Sequence, residues 1–347
     1  MTAPTHDEIA ATLRRLSPAY APTPLLVLPR LAARLGVSRV LAKDEGRRML
    51  GSFKSLGGSY AGLRALARHA GTGVEDLLAG RPARLPALVC ASDGNHGLAV
   101  ATAAAMAGAP ARIYLHATVD PARAARIEAA GADVVWVRGT YDDAVDEAAR
   151  ATASGAGILI ADTAADPDDP VVGDVMAGYG VIAAEARAQI EEARLFRPTH
   201  LFIQAGVGGL AAAMAEGLAG WMDAPAAIVV AEPAAACCIA PALEAGRVVR
   251  IAGDLETAAA MLSCGEASAA ALAALRCHAA VVVPVAEETL IAAPALLRDC
   301  GGPASTPSGA AGIAGAMTAA SDPSLCAKLR LTAESVILFV VSEAAPA

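Results

Sequence analysis

The chain has 347 residues, with 27 Lys and Arg against 35 Asp and Glu, a formal net charge of −8 and only 3% aromatic residues. Neither the clustered cations that nucleic-acid phosphates reward nor the rings that stack on bases are present, which argues against a nucleic-acid partner. Hydrophobic residues make up 55%, but the most apolar stretches, Leu98 to Ala111 and Gly309 to Ala320, are rich in small residues and shorter than the about 20 apolar residues that span a bilayer. No membrane segment is expected. The acidic start, Met1 to Glu8, lacks the apolar core of a secretory signal. Seven scattered cysteines, an odd number, argue for reduced thiols over a disulfide framework. A cytoplasmic protein is expected, long enough for one or two sizeable cores.

In chain order, short and mostly β-branched runs predict strands at Val40 to Lys43, Ala87 to Cys90, Ala111 to Leu115, Val134 to Val137, Ile158 to Ile160, Leu201 to Ile203, Ile228 to Ala231 and Val336 to Val341. Helical patterns fall between them, at Tyr60 to His69, Pro121 to Ala130, Tyr141 to Thr152 and Val175 to Ala193. Pro121 suits a first helical position and Gly131 a helix end, with Arg123, Arg126 and Glu128 facing outward. Strands alternating with helices predict an α/β class with right-handed crossovers and mostly parallel sheets.

Three segments stand out chemically. Lys54 lies between Ser52-Phe53 and a run of small residues at a helix start. Sheltered there, a lysine can lose its proton and attack an aldehyde as a neutral amine; the competing reading is a solvated surface lysine. The second segment, Ser92-Asp93-Gly94-Asn95-His96-Gly97, reads as a polar turn between strand and helix, the place where open α/β sheets bind ligands. A cap by Ser92 or Asp93 explains one polar residue but leaves Asn95 and His96 without a reason. For His96, orienting the loop is favoured over general-base duty.

The third segment, Gln204 to Leu210, ends a strand and opens a helix. The amides of Gly206, Val207, Gly208 and Gly209 can approach a phosphate closely, with the helix dipole behind them. A relaxed dinucleotide fingerprint, Gly206, Gly208 and Ala211 with Glu232 closing the next strand, keeps a nicotinamide-binding module in view. Asp162 precedes an acidic, Pro-rich loop, where a solvated turn former competes with a catalytic role. Cys237 and Cys238 are adjacent and without zinc-like spacing, so no metal is expected. Cys264 reads as a packed thiol.

Lys43-Asp44-Glu45, Ser52-Phe53-Lys54, the Asp93 to Gly97 turn and the Gly206 to Gly209 loop occur in the order found in fold-type II pyridoxal-phosphate enzymes, which the chain resembles from Thr23 to Ser342. That resemblance implies a tryptophan synthase β-like fold of two open, mostly parallel twisted sheets with helices on both faces. It also implies a smaller α/β domain at 92–180 inserted in a larger one formed by 1–91 and 181–347, and a homodimer. It implies pyridoxal 5'-phosphate as cofactor, joined to Lys54 beside Phe53. Asn95 would bond the ring hydroxyl, residues 206–209 the phosphate, and Ser342 would face the pyridine nitrogen. A neutral hydroxyl there does not enforce ring protonation as a carboxylate would.

Within that family, Asp93, Asp162-Thr163-Ala164, Gly178-Tyr179-Gly180, Met261 to Glu266 and Ser308 to Gly312 are most similar to the diaminopropionate ammonia-lyases. This implies elimination of ammonia from D- or L-2,3-diaminopropionate, giving pyruvate and ammonia. Asp93 and Asp162 would serve opposite faces of a small amino-acid substrate, with Ser92, Asp93 and His96 against it. An aspartate base, with a reference pKa of about 3.9, needs burial or charge crowding to raise it. The alternative is a serine or threonine dehydratase or a β-replacement synthase, and Asp93 discriminates, since related dehydratases usually carry a small apolar residue there. Two departures from the pattern are Ala344 in place of glycine after Ser342-Glu343, and Ala165-Asp166 where an aromatic residue is expected.

Overall fold

The structure is a computed structural model and describes residues 4–17, 20–80, 82, 84–92, 94–117, 119–139 and 141–345. Its strands, in chain order, are β1 (Leu25–Val27), β2 (Arg39–Asp44), β3 (Leu88–Cys90), β4 (Ala111–His116), β5 (Asp133–Val137), β6 (Ile158–Leu159), β7 (His200–Gln204), β8 (Ala227–Pro233), β9 (Val281–Val285) and β10 (Val336–Val341). They form a six-stranded sheet, β1-β2-β10-β7-β8-β9, and a four-stranded sheet, β5-β4-β3-β6. All pairings are parallel except β1 with β2. The fold class is α/β, two mostly parallel sheets covered by helices.

Each predicted strand is present, and two more are not foreseen. β1 is a three-residue antiparallel addition to β2. β9 carries Pro284 opposite Glu232 of β8 at the end of the sheet order. Pro cannot donate to a ladder, so inside a run it argues against a central strand, whereas an edge strand tolerates it.

The chain divides into two compact units. One comprises the stretch ending at Tyr20, Lys54–Asp162 and Asp168–Gly178. It holds the four-stranded sheet, with Val89, Tyr114, Ala144 and Ala148 in a common core. Its second stretch starts with the helix Lys54–Ala70, which packs on the helix Asn95–Ala107, and β3 is central to its sheet.

The other unit comprises Ala21–Phe53, Thr163–Pro167 and the stretch from Tyr179 onward, and contains the six-stranded sheet. All six residues of β10 are buried, as expected of a parallel strand covered on both faces, whose sequence is a continuous apolar run. Phe202, Val229, Ile337, Phe339, Leu290 and Ile313 share its core, each side chain contributing about 1.5–3 kcal/mol by burial. No helix among the described residues is long and apolar enough to cross a membrane.

Candidate functional site

Lys54 opens the helix Lys54–Ala70. Its ammonium pairs with the carboxylate of Asp162, and the two side chains are 24% and 20% exposed. Burial alone would raise the Asp162 pKa. The adjacent Lys54 ammonium outweighs that and holds the carboxyl well below the usual carboxylate range. Asp162 is reached through β6, and β6 is pinned by its neighbour: the Ile160 amide donates to the Val89 carbonyl at 2.8 Å. The Ile160 carbonyl meets His96 Nε2 at 3.0 Å.

His96 is 3% exposed, and burial lowers its pKa, so the imidazole is neutral and Nε2 carries the proton that the carbonyl accepts. His96 therefore fixes the segment leading to Asp162. Asn95 is the first residue of its helix, half-buried, with Gly94 as N-cap and no side-chain cap. Ser92 Oγ accepts from the Gly94 amide at 3.4 Å, shaping the turn. Gly97 is required there, since a Cβ would stand 2.1 Å from the Ser92 carbonyl oxygen. Asp93 lies outside the described residues.

In the other unit, Ala205 to Gly208 link β7 to the helix Gly209–Leu218. Gly208 is the N-cap with φ +97°, a left-handed conformation that favours glycine. A Cβ on Gly206 would lie 2.9 Å from Cys264 Sγ, so the thiol expected to be packed does pack, against this loop. The Val207 carbonyl accepts from the Ser268 amide at 2.8 Å. Ser342 is buried directly after β10; its amide donates to the Gly309 carbonyl and its carbonyl accepts from the Phe53 amide, both at 3.1 Å. Lys54 is the next residue after Phe53, whose ring lies 4.8 Å from that of Tyr179.

The nicotinamide reading loses its acidic residue. Glu232 is fully buried and accepts from the Ile239 and Ala240 amides at 2.8 and 3.2 Å, capping a short helix. Among the described residues no cluster of three or more His, Cys, Asp or Glu is arranged to hold a metal ion.

A signal the local motifs do not use is the lysine census. The chain has three lysines: Lys43, Lys54 and Lys328. Lys328 is exposed in the last turn of the helix Pro323–Leu329. Lys43 is 0% exposed, and its three N–H groups meet Thr23 O and Glu185 Oε2 at 2.7 Å and Gln189 Oε1 at 3.0 Å. Arg48 adds ion pairs to Glu45 and Glu185. This buried group of two cations and two carboxylates has no local sequence signature, because Glu185 lies far along the chain from the others.

The sequence model of the family described as "Pyridoxal-phosphate dependent enzyme" matches residues 16–343. The chain belongs to that family. Pyridoxal phosphate is accordingly its cofactor. A diaminopropionate ammonia-lyase from Salmonella typhimurium is 35% identical over 272 residues, 75% of this chain and 67% of that protein. The chain thus spans about two thirds of the length of the curated relatives it matches, 63% for an Escherichia coli diaminopropionate ammonia-lyase. The crystal structure of the holo Escherichia coli enzyme superposes with a TM-score of 0.86 at 28% identity, covering 99% of this chain and 91% of that one. That of a T.th. threonine deaminase gives a TM-score of 0.79 at 28% identity, covering 99% of both.

The residues of the pyridoxal-phosphate enzyme fit its cofactor. One lysine of three is partly exposed at a helix start, a glycine loop without side chains opens a helix, and a serine hydroxyl in the same unit as that loop has a proton to donate.

Proposed function

We propose that the chain eliminates ammonia from 2,3-diaminopropionate, in the D or L form or both, with pyruvate and ammonia as products. The observation that carries this reading is the Lys54–Asp162 pair, which sets a proton-transfer group beside the one lysine suited to hold the cofactor, in a chain similar to diaminopropionate ammonia-lyases. Bound pyridoxal phosphate supplies the electron sink for charge left at Cα.

In this reading Lys54 would hold the cofactor through its aldehyde, with Phe53 beside it. Asn95 would bond the ring hydroxyl, the amides of Gly206, Val207, Gly208 and Gly209 would bind the phosphate, and Ser342 would face the pyridine nitrogen. Asp93 and Asp162 take the Cα proton on opposite faces of the substrate, with Ser92 contributing to its contacts. Asp162 is held acidic by the Lys54 ammonium. When the Lys54 nitrogen is engaged elsewhere, burial becomes the dominant influence and moves the carboxyl upward, the direction a base requires. The Cα proton passes to a carboxylate, the β-amine leaves with a proton as ammonia, and water hydrolyses the released enamine to pyruvate and a second ammonia.

The homodimer and the cytoplasmic location belong to the same reading, supported by the family's habit and by seven free cysteines. The similarity to threonine deaminase favours a dehydratase as the second reading. Ammonia and pyruvate release, assayed over D- and L-2,3-diaminopropionate, L-threonine and L- and D-serine, separates the two. The proposal expects a diaminopropionate isomer to have the highest kcat/KM, and a preference for the hydroxy amino acids overturns it. Asp93→Asn should keep the cofactor bound but slow one isomer, and equal rates on both would remove Asp93 as a base.

A further inference from the structure

Gln204 closes β7, two residues before Gly206, and is 2% exposed. Its Nε2 has two hydrogens for three acceptors: Ser342 Oγ, the nearest at 2.8 Å, takes one, and the Val340 and Gly309 carbonyls at 3.1 and 3.2 Å share the other. The two carbonyls can only accept, so the amide cannot be turned over: its oxygen would then face both of them. Ser342 Oγ thus meets a nitrogen that donates and cannot accept, and its own proton must point away from Gln204. Among the described residues Ser342 Oγ has no other hydrogen-bond partner. Its position is not free either, since the Ser342 amide and carbonyl are both engaged, with Gly309 and Phe53.

We propose that Gln204 is a positioning residue for the cofactor ring: by donating to Ser342 it makes that hydroxyl a hydrogen-bond donor to the pyridine nitrogen, and so keeps the nitrogen unprotonated. This rests on the reading that Ser342 faces that nitrogen. An unprotonated nitrogen accepts the serine proton, and every hydrogen of the Gln204–Ser342 pair is then used. A protonated nitrogen must instead donate to Ser342 Oγ, which already takes the Gln204 hydrogen, and the hydroxyl proton is left without an acceptor. The difference is one buried hydrogen bond, and it favours the unprotonated ring. Removing the Gln204 donor frees an Oγ lone pair, and in Gln204→Glu a carboxyl whose proton goes to the two carbonyls presents its other oxygen as an acceptor for the hydroxyl proton. Both changes remove the bias.

The test is the 15N resonance of ring-labelled pyridoxal phosphate bound to the full chain, followed between about pH 6 and pH 9. The wild-type resonance should stay in the unprotonated range throughout. In Gln204→Met and Gln204→Glu it should move toward the protonated position at the acid end, and Ser342→Ala should also displace it. If Gln204→Glu does not fold, Gln204→Met, close in size and without a donor, carries the experiment. Wild-type behaviour in the Gln204 variants, with a displaced resonance in Ser342→Ala, overturns the role of Gln204 and leaves Ser342 as ring partner. An unchanged resonance in Ser342→Ala overturns the ring-partner reading and this inference with it. A protonated wild-type nitrogen overturns the inference alone.

Discussion

Lys43 and Lys54 are eleven positions apart in the sequence, and their surroundings are opposite. Lys43 is 0% exposed, each of its three hydrogens has an oxygen within 3.0 Å, and Glu185 and Glu45 face it across a group completed by Arg48. Burial nonetheless lowers its pKa, against the pull of the carboxylates. Lys54 keeps about a quarter of its side chain exposed and pairs with an aspartate that is itself partly open. A lysine saturated with acceptors has no lone pair to offer and no room for a second molecule. One at a helix start, reachable from outside and beside a carboxylate, can do chemistry. Burial by itself therefore does not mark a reactive lysine; incomplete enclosure does.

Exchanging each lysine for alanine breaks the comparison most sharply. Lys54→Ala should lower turnover by about 10³-fold or more, about 4 kcal/mol of barrier, with the thermal midpoint changed little. An active Lys54→Ala variant would end the assignment. Asp162→Asn should retain the bound cofactor yet slow elimination by about 10²–10⁴-fold, measured as kcat on each diaminopropionate isomer. Unaltered kcat on both isomers would return Asp162 to the role of a turn former.

Lys43→Ala should do the reverse of Lys54→Ala. It removes one cation of a buried group and costs about 3–5 kcal/mol of stability in denaturant unfolding, while whatever protein stays folded still binds cofactor at Lys54. Loss of cofactor attachment without loss of stability would contradict that division.

The smallest effect is acid sensitivity. His96 and His200 are both buried, with Nε2 on a backbone carbonyl at 3.0 Å, and burial lowers both pKa values below the ordinary 6.5. The unfolded chain takes up protons at these positions before the folded one does. Their contribution is thus complete above about pH 6.5 and fades as the pH falls below it. Denaturant unfolding at about pH 7.5 and about pH 5.5 should show lower stability at the acid point. His200→Gln should flatten the difference, and an identical slope in that variant would remove His200 from the account.

What the sequence makes legible is what is local. Lys54 among small residues, the Gly206 to Gly209 loop after an apolar run, and the β-branched runs of β2, β4, β7, β8 and β10 each carry their signal within a few residues. β9 is lost to pattern reading because Pro284 interrupts it, and only the strand order reveals that it lies at an edge. The partners of Lys43 and Arg48 are hidden for a related reason: Glu185 reaches them from the helix Pro170–Glu192. The Gln204–Ser342 contact depends on β7 lying beside β10, a pairing between runs more than a hundred residues apart. Asp162 is intermediate. Its acidic, Pro-rich surroundings read equally well as a solvated turn, and its pairing with Lys54 comes from β6 aligning on β3.

The central claim is that Lys54, and neither of the other two lysines, carries the cofactor. Borohydride reduction of the protein loaded with pyridoxal phosphate, followed by peptide mapping, tests it directly. The account predicts one stable adduct, on the peptide that contains Lys54. An adduct on Lys43 or Lys328, or none with cofactor in excess, would contradict it.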